Sequence, residues 1–188
     1  MELYVIRHGQ TQTNQNKGMV GRKQIYSLTE KGIEQAKEAS KIVENMDYDI
    51  VICSPLERTK VTCNIVNIKN KPVIYDERLM ERDCGAMEGQ PKESFDYPHY
   101  WNYNYDFDID GMMKIKEFKN QVWECIDEIK EKYPDKRILI VTHNGVCRMI
   151  GAYFNGIPED GNLSIYAHDN CEIKSYHIEK ERHIGDER

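Results

Sequence analysis

His8 and His143 are the residues best placed for chemistry, because each follows a short apolar run that reads as a strand. His8 stands in Arg7-His8-Gly9 after Leu3 to Ile6, and His143 in Thr142-His143-Asn144-Gly145 at the end of Arg137 to Thr142. In open α/β sheets, side chains leaving the carboxyl ends of strands converge on one crevice, however far apart they lie in sequence. A lone histidine at a strand end is more often structural than catalytic, but the charges beside these two alter that balance. Arg7 supplies a permanently charged fork suited to phosphate oxygens. A second arginine ends Ile52-Cys53-Ser54-Pro55-Leu56-Glu57-Arg58, where Ser54 reads as the N-cap, Pro55 as N1 and Glu57 as N3 of a helix. Arg58 is then expected in a first helical turn, whose free N–H groups and dipole already attract anions.

The elements that must position these groups follow from the pattern of apolar residues. Strands are expected at Leu3 to Ile6, Asp49 to Cys53, Pro72 to Tyr75, Arg137 to Thr142 and Glu172 to Ile178. Ile33, Ala36, Ala39 and Val43 mark one face of a first helix. Ile115, Phe118, Val122, Ile126, Ile129 and Tyr133 mark a longer one, and another runs from about Gly145 to Phe154. Strands alternating with helices imply a three-layer α/β/α fold, with a largely parallel central sheet and helices on both faces. Glu179 to Arg188 is so charged that fraying is expected.

These residues resemble the histidine phosphatase superfamily, the phosphoglycerate-mutase-like group. Arg7-His8-Gly9-Gln10-Thr11 is similar to its nucleophile motif, Asn14 to the asparagine that follows, and Leu28 to Gly32 to the start of its first helix. Ser54 to Arg58 resembles the second-arginine motif, Leu79 to Gly89 the segment carrying the general acid, and Thr142 to Gly145 the motif of the second histidine. The resemblance implies His8 as nucleophile, Glu81 as general acid, and Arg7, Arg58 and His143 as stabilisers of the transferring phosphoryl group. Substrate binding falls to Arg7, Asn14, Arg58, His143 and Asn144, with backbone N–H groups near Gly9 and Gly145 as lesser donors. Only the resemblance selects Glu81 over Glu77 and Glu88. Arg82 is left between pairing with Glu81 and reaching the substrate.

Composition bounds the alternatives. The 188 residues suffice for one sizeable core, and no Pro/Gly/Ser-rich linker interrupts them, so residues 1–188 read as a single domain. With 39% hydrophobic and 31% charged residues, and no long apolar run, neither a membrane span nor a secretory leader is expected. A net charge of −6 argues against nucleic-acid binding, which needs a basic stripe. Of six cysteines, Cys53, Cys63, Cys125, Cys147 and Cys171 fall in expected strands or helices, and Cys84 reads as packing. They are read as buried free thiols of a cytoplasmic protein, and without C-x-x-C pairs no metal site or cofactor is implied.

Two segments resist this scheme. Ser94 to Asp110 holds seven of the 18 aromatics and four aspartates without Lys or Arg, and it lies where the resemblance places a substrate-covering segment, at about 91–113. It is read either as a lid or as a satellite aromatic cluster. Asp106 to Glu117 satisfies the spacing of an EF-hand calcium loop, without an entering helix or a partner loop.

The implied activity is metal-independent hydrolysis of a small phosphorylated metabolite, a phosphomonoester, through a phosphohistidine. Because Ser94 to Asp110 lacks Lys and Arg, an uncharged leaving group is favoured over a phosphoglycerate mutase's acidic substrate, although Lys17, Arg22, Lys23 and Arg82 could lean in. A noncatalytic phosphate- or calcium-binding module is the rival from another class.

Overall fold

The computed structural model describes residues 1–178, so the expected frayed tail lies outside the described residues. Strands β1 (Glu2–Arg7), β2 (Ile50–Cys53), β3 (Val73–Tyr75), β4 (Arg137–Thr142) and β5 (Ile173–His177) form one sheet. Their order is β3-β2-β4-β1-β5, and β5 runs antiparallel to β1 while the other neighbours are parallel. Helices α1 (Gln12–Gln15), α2 (Glu30–Glu44), α3 (Glu57–Val66), α4 (Tyr97–Tyr100), α5 (Ile115–Lys132) and α6 (Asn144–Asn155) make up the rest.

Both faces of the sheet are covered, which is why β1 and β4 are almost continuously apolar. Leu3, Val5, Ile138 and Ile140 pack toward Phe118, Val122 and Ile126 of α5 and Val146 and Ile150 of α6. The alternate residues Ile6, Leu139 and Val141 face Ala36, Ala39 and Val43 of α2 and Cys63 and Val66 of α3. The expected three-layer α/β/α fold is therefore present. Each fully buried Leu, Ile or Val contributes about 1.5–3 kcal/mol of transfer free energy.

Three local expectations fail. The stripe of α2 that faces the core begins with Gly32 and leaves Ile33 half-buried. A Cβ on Gly32 would stand 2.2 Å from the Gln10 carbonyl oxygen, and one on Gly9 would stand 2.4 Å from that of Gly32. Close packing of β1's following loop on α2 thus demands both glycines. Ser54 is not an N-cap: α3 starts at Glu57 behind Leu56, with no side-chain cap. Cys171 lies ahead of β5 in a left-handed turn, φ 62°, rather than in the strand. All six cysteines are nonetheless buried and free.

Candidate active site

The ladder of the sheet brings the two histidines together. Arg7 is in register with Thr142, and Cys53 with Val141, so the residues that follow β1, β2 and β4 emerge side by side. The backbone pairing continues past the strands, with His8 N donating to Thr142 O at 2.9 Å and Ser54 N to Val141 O at 3.0 Å. As a result the rings of His8 and His143 lie edge to face, 5.2 Å apart between centroids. Both are buried, His8 at 2% exposure and His143 at 0%.

The hydrogen bonds of His8 define its tautomer. Nδ1 is 2.7 Å from Gly9 O, and a carbonyl only accepts, so Nδ1 carries the proton and Nε2 keeps its lone pair. Arg58 Nε donates to that Nε2 at 3.3 Å, and its Nη2 donates to Gly21 O at 2.9 Å. Burial, then Arg58 and Arg7, push the His8 pKa well below its ordinary value of 6.5. Burial acts on His143 in the same direction, followed by Arg58, His8 and Arg7. The neutral, nucleophilic form of His8 is therefore its resting form. His143 Nε2 meets Ser54 Oγ at 2.7 Å, the role Ser54 plays in place of capping.

A small pocket of about 40 Å³ opens over His8, lined by Arg7, Asn14, Glu81, Lys92, Tyr97, Tyr100, Trp101, Asn144 and Arg148 among others. Arg58 and His143 touch His8 but are not among the lining residues. A wider groove between Gln10 and Lys31 is open to solvent and carries none of the candidate site residues. Of the three glutamates, Glu81 alone lines the cavity. Glu88 accepts from Lys23 N, Gln24 N and Tyr26 Oη and so organises the loop across from it, while Glu77 is exposed. The Glu81 carboxylate is aimed by two backbone donors, Arg82 N at 2.9 Å and Gly145 N at 3.1 Å. A Cβ on Gly145 would stand 2.0 Å from Glu81 Oε1 and 2.5 Å from Trp101, so glycine there is what admits the carboxylate.

Several expected donors are already committed. Gly9 N–H donates to Thr62 Oγ1 at 3.1 Å, and Gly145 N–H to Glu81, so neither is free for a phosphate. Asn14 uses its Oδ1 to close a capping box with Thr11, and Asn144 uses its own to hold His168 N. Among the described residues neither NH₂ group meets a protein acceptor. Arg7 is fixed through Nη1 to His168 O at 2.8 Å and retains an unpartnered Nε. Arg82 neither pairs with the Glu81 carboxylate nor lines the cavity: it donates to Met113 O and Tyr100 O and stacks on Tyr100 at 4.4 Å. Arg22 donates to Glu81 O, and Lys23 pairs with Asp83.

The aromatic segment divides between the cavity and the core. Tyr97, Tyr100 and Trp101 wall the cavity, and Phe95, Tyr103 and Phe107 pack on the main core. The carboxylates of Asp106 to Glu117 do not converge. Asp106 accepts from Ile115 N at the start of α5, and Glu117 lies in that helix's first turn. Among the described residues no group of three or more His, Cys, Asp or Glu is placed to hold a metal ion. Two further basic residues line the cavity: Lys92, two residues ahead of Ser94, and Arg148, which interrupts the apolar face of α6 five residues after His143 and is visible there in the sequence.

Comparison with known proteins agrees with this geometry. The histidine phosphatase superfamily (branch 1) matches residues 3–185. The chain is 28% identical over 187 residues to the uncharacterized phosphatase PhoE of Bacillus subtilis, with 93% of each chain covered. It is 35% identical over 200 residues to a 2,3-bisphosphoglycerate-dependent phosphoglycerate mutase of Haemophilus influenzae, covering 85% of this chain and 87% of the mutase. The alpha-ribazole phosphatase of Shigella flexneri superposes with a TM-score of 0.82 at 27% identity, over 96% of this chain and 92% of that one. With this fold, these motifs in this order and phosphatases among its relatives, the chain belongs to the histidine phosphatase superfamily (branch 1), as a phosphoric monoester hydrolase.

Proposed function

We propose that the chain hydrolyses a small phosphomonoester through a phosphohistidine on His8, without a metal ion. The observation that carries this reading is the buried His8 ring, deprotonated at Nε2, with Arg58 Nε 3.3 Å from that atom. Nε2 attacks phosphorus, the P–N bond forms as the P–O bond to the leaving group breaks, and Glu81 delivers the proton to the departing alcohol. Glu81, now a carboxylate, takes a proton from water as that water attacks phosphorus. The P–N bond then breaks, returning its electron pair to Nε2 and releasing inorganic phosphate. Arg7, Arg58 and His143 offset the charge on the equatorial oxygens, with the NH₂ groups of Asn14 and Asn144 adding donors. The positive charge that a metal would otherwise supply comes from arginine.

Brief mixing with 4-nitrophenyl phosphate and acid-free quenching is expected to trap an acid-labile phosphoenzyme, and EDTA is expected to leave turnover unchanged. Activity lost to chelation and restored by magnesium or calcium overturns the metal-independent mechanism. A second reading, a phosphoglycerate mutase, is favoured by Lys92 and Arg148 on the cavity lining, since such an enzyme needs basic residues for an acidic substrate. Interconversion of phosphoglycerates faster than their hydrolysis, in the presence of bisphosphoglycerate, decides for it. The six buried free thiols support a cytoplasmic, reducing location. Among the described residues no helix is long and apolar enough to cross a membrane.

A further inference from the structure

His8 and His143 are buried side by side, but only His8 has its Nδ1 engaged. His143 Nδ1 is buried without a hydrogen-bond partner among the described residues, whereas His8 Nδ1–H donates to Gly9 O at 2.7 Å. That carbonyl belongs to the peptide joining Gly9 to Gln10. In a planar trans peptide the C=O and N–H point in opposite directions, so a group that holds one aims the other. Gln10 N–H donates to the side chain of Gln35 at 3.0 Å. Because a backbone N–H only donates, the Gln35 atom facing it is the oxygen, Oε1. Two hydrogen bonds joined through one peptide therefore link His8 Nδ1 to Gln35 on α2.

The fold puts Gln35 at that point. Thr29, which caps α2, donates its N–H to Gln10 O at 2.9 Å and its hydroxyl to Gln10 Oε1 at 3.0 Å. A Cβ on Gly32 would stand 2.8 Å from Gln10 N. The first turn of α2 thus lies against Gly9 and Gln10, and Gln35, three residues beyond Gly32, meets the N–H. We infer that Gln35 is a positioning residue for the nucleophile: by accepting from Gln10 N–H it holds Gly9 C=O on His8 Nδ1–H and polarises it. This rests on the reading of His8 as nucleophile. As the P–N bond forms at Nε2 the ring takes up positive charge and Nδ1–H becomes a stronger donor. The polarised carbonyl offsets that charge while the proton stays on Nδ1. His143 has no such chain behind it.

Gln35→Met, which keeps the length and removes the acceptor, is expected to slow single-turnover phosphoenzyme formation from 4-nitrophenyl phosphate about fivefold, the worth of one neutral hydrogen bond. Gln35→Glu, which keeps an acceptor and makes it anionic, is expected to match or exceed the wild-type rate. A merely structural role would leave unmoved the NMR shift of the His8 Nδ1 nitrogen in isotope-labelled protein, assigned by its loss in His8→Ala. That shift is expected to move upfield in Gln35→Met and downfield in Gln35→Glu. Should Gln35→Met not fold, the shift in Gln35→Glu decides. An unmoved Nδ1 signal, or an equal loss of rate in both variants, overturns the role of Gln35 and leaves the phosphatase reading intact. Absence of a phosphoenzyme in the wild type, together with undiminished turnover in His8→Ala, overturns both.

Discussion

The floor of the cavity is built from strand ends, whereas its wall is built from a segment with no regular period, and the two hold their charged groups in different ways. On the floor, His8, Ser54 and His143 are placed by backbone ladders that continue beyond β1, β2 and β4. Arg58 reaches the same point from α3. On the wall, Tyr97, Tyr100 and Trp101 are held by ring contacts, such as Tyr100 to Trp101 at 4.7 Å, and by Arg82 gripping Tyr100 O at 2.6 Å. The floor therefore fixes its side chains through the sheet itself, while the wall bounds the space above them. Substitutions in the floor should cost chemistry, and those in the wall's supports should cost stability or selectivity.

The largest effect that could break this division is at His8. His8→Ala is expected to lower kcat for 4-nitrophenyl phosphate by about 10⁴-fold, as for other nucleophiles that act within a unit. Retention of more than about 1% of the wild-type rate removes His8 from the nucleophile role. Next comes Glu81, where floor and wall meet. Glu81→Gln is expected to slow single-turnover phosphorylation by alkyl phosphates about 10²-fold or more, and by nitrophenyl phosphate far less, since nitrophenolate departs without a proton. Equal losses for both substrates, or the selective loss appearing in Glu88→Gln instead, assign the acid elsewhere.

Arg82 sharpens the comparison from the other side. Arg82→Met leaves two buried carbonyls without donors and is expected to destabilise the fold by about 2–4 kcal/mol, read from urea unfolding. Unchanged stability with a raised KM would make Arg82 a substrate contact. The smallest effect per group concerns pH. His8 and His143 have folded-state pKa values well below 6.5, and burial pushes His168 down to about 4. Below 6.5 the unfolded chain binds protons that the folded chain refuses, so stability is full above that pH and falls as the pH drops. The slope is about 1.4 kcal/mol per pH unit for each histidine. A melting temperature equal at pH 7 and pH 5 contradicts the burial of neutral rings.

The sheet, its order of elements and the floor of the site were legible because their signals are local. An apolar run followed by Arg-His-Gly or Thr-His-Asn-Gly marks a strand end, and topology alone carries strand ends into one crevice. The wall was not legible in the same way. Nothing within Leu79 to Gly89 distinguishes Glu81 from Glu88 until Gly145 and Arg82 hold one carboxylate on the cavity lining while Lys23, Gln24 and Tyr26 engage the other. Gly9 reads as part of a set of backbone donors to phosphate, yet its N–H is spent on Thr62 and its Cβ space is taken by Gly32. Ser54 reads as a helix cap, yet it bonds His143, 89 residues away.

What the sequence determined by itself was thus the fold class, the phosphate-directed chemistry and the four residues Arg7, His8, Arg58 and His143, all set by patterns a few residues long. Only the tertiary structure decided which glutamate faces the cavity, that Arg82 is a brace, and that Arg148 joins His8 on the cavity lining, against Trp101. Those assignments depend on contacts between residues 18 to 64 positions apart, and partners at that range leave no periodic trace in the chain.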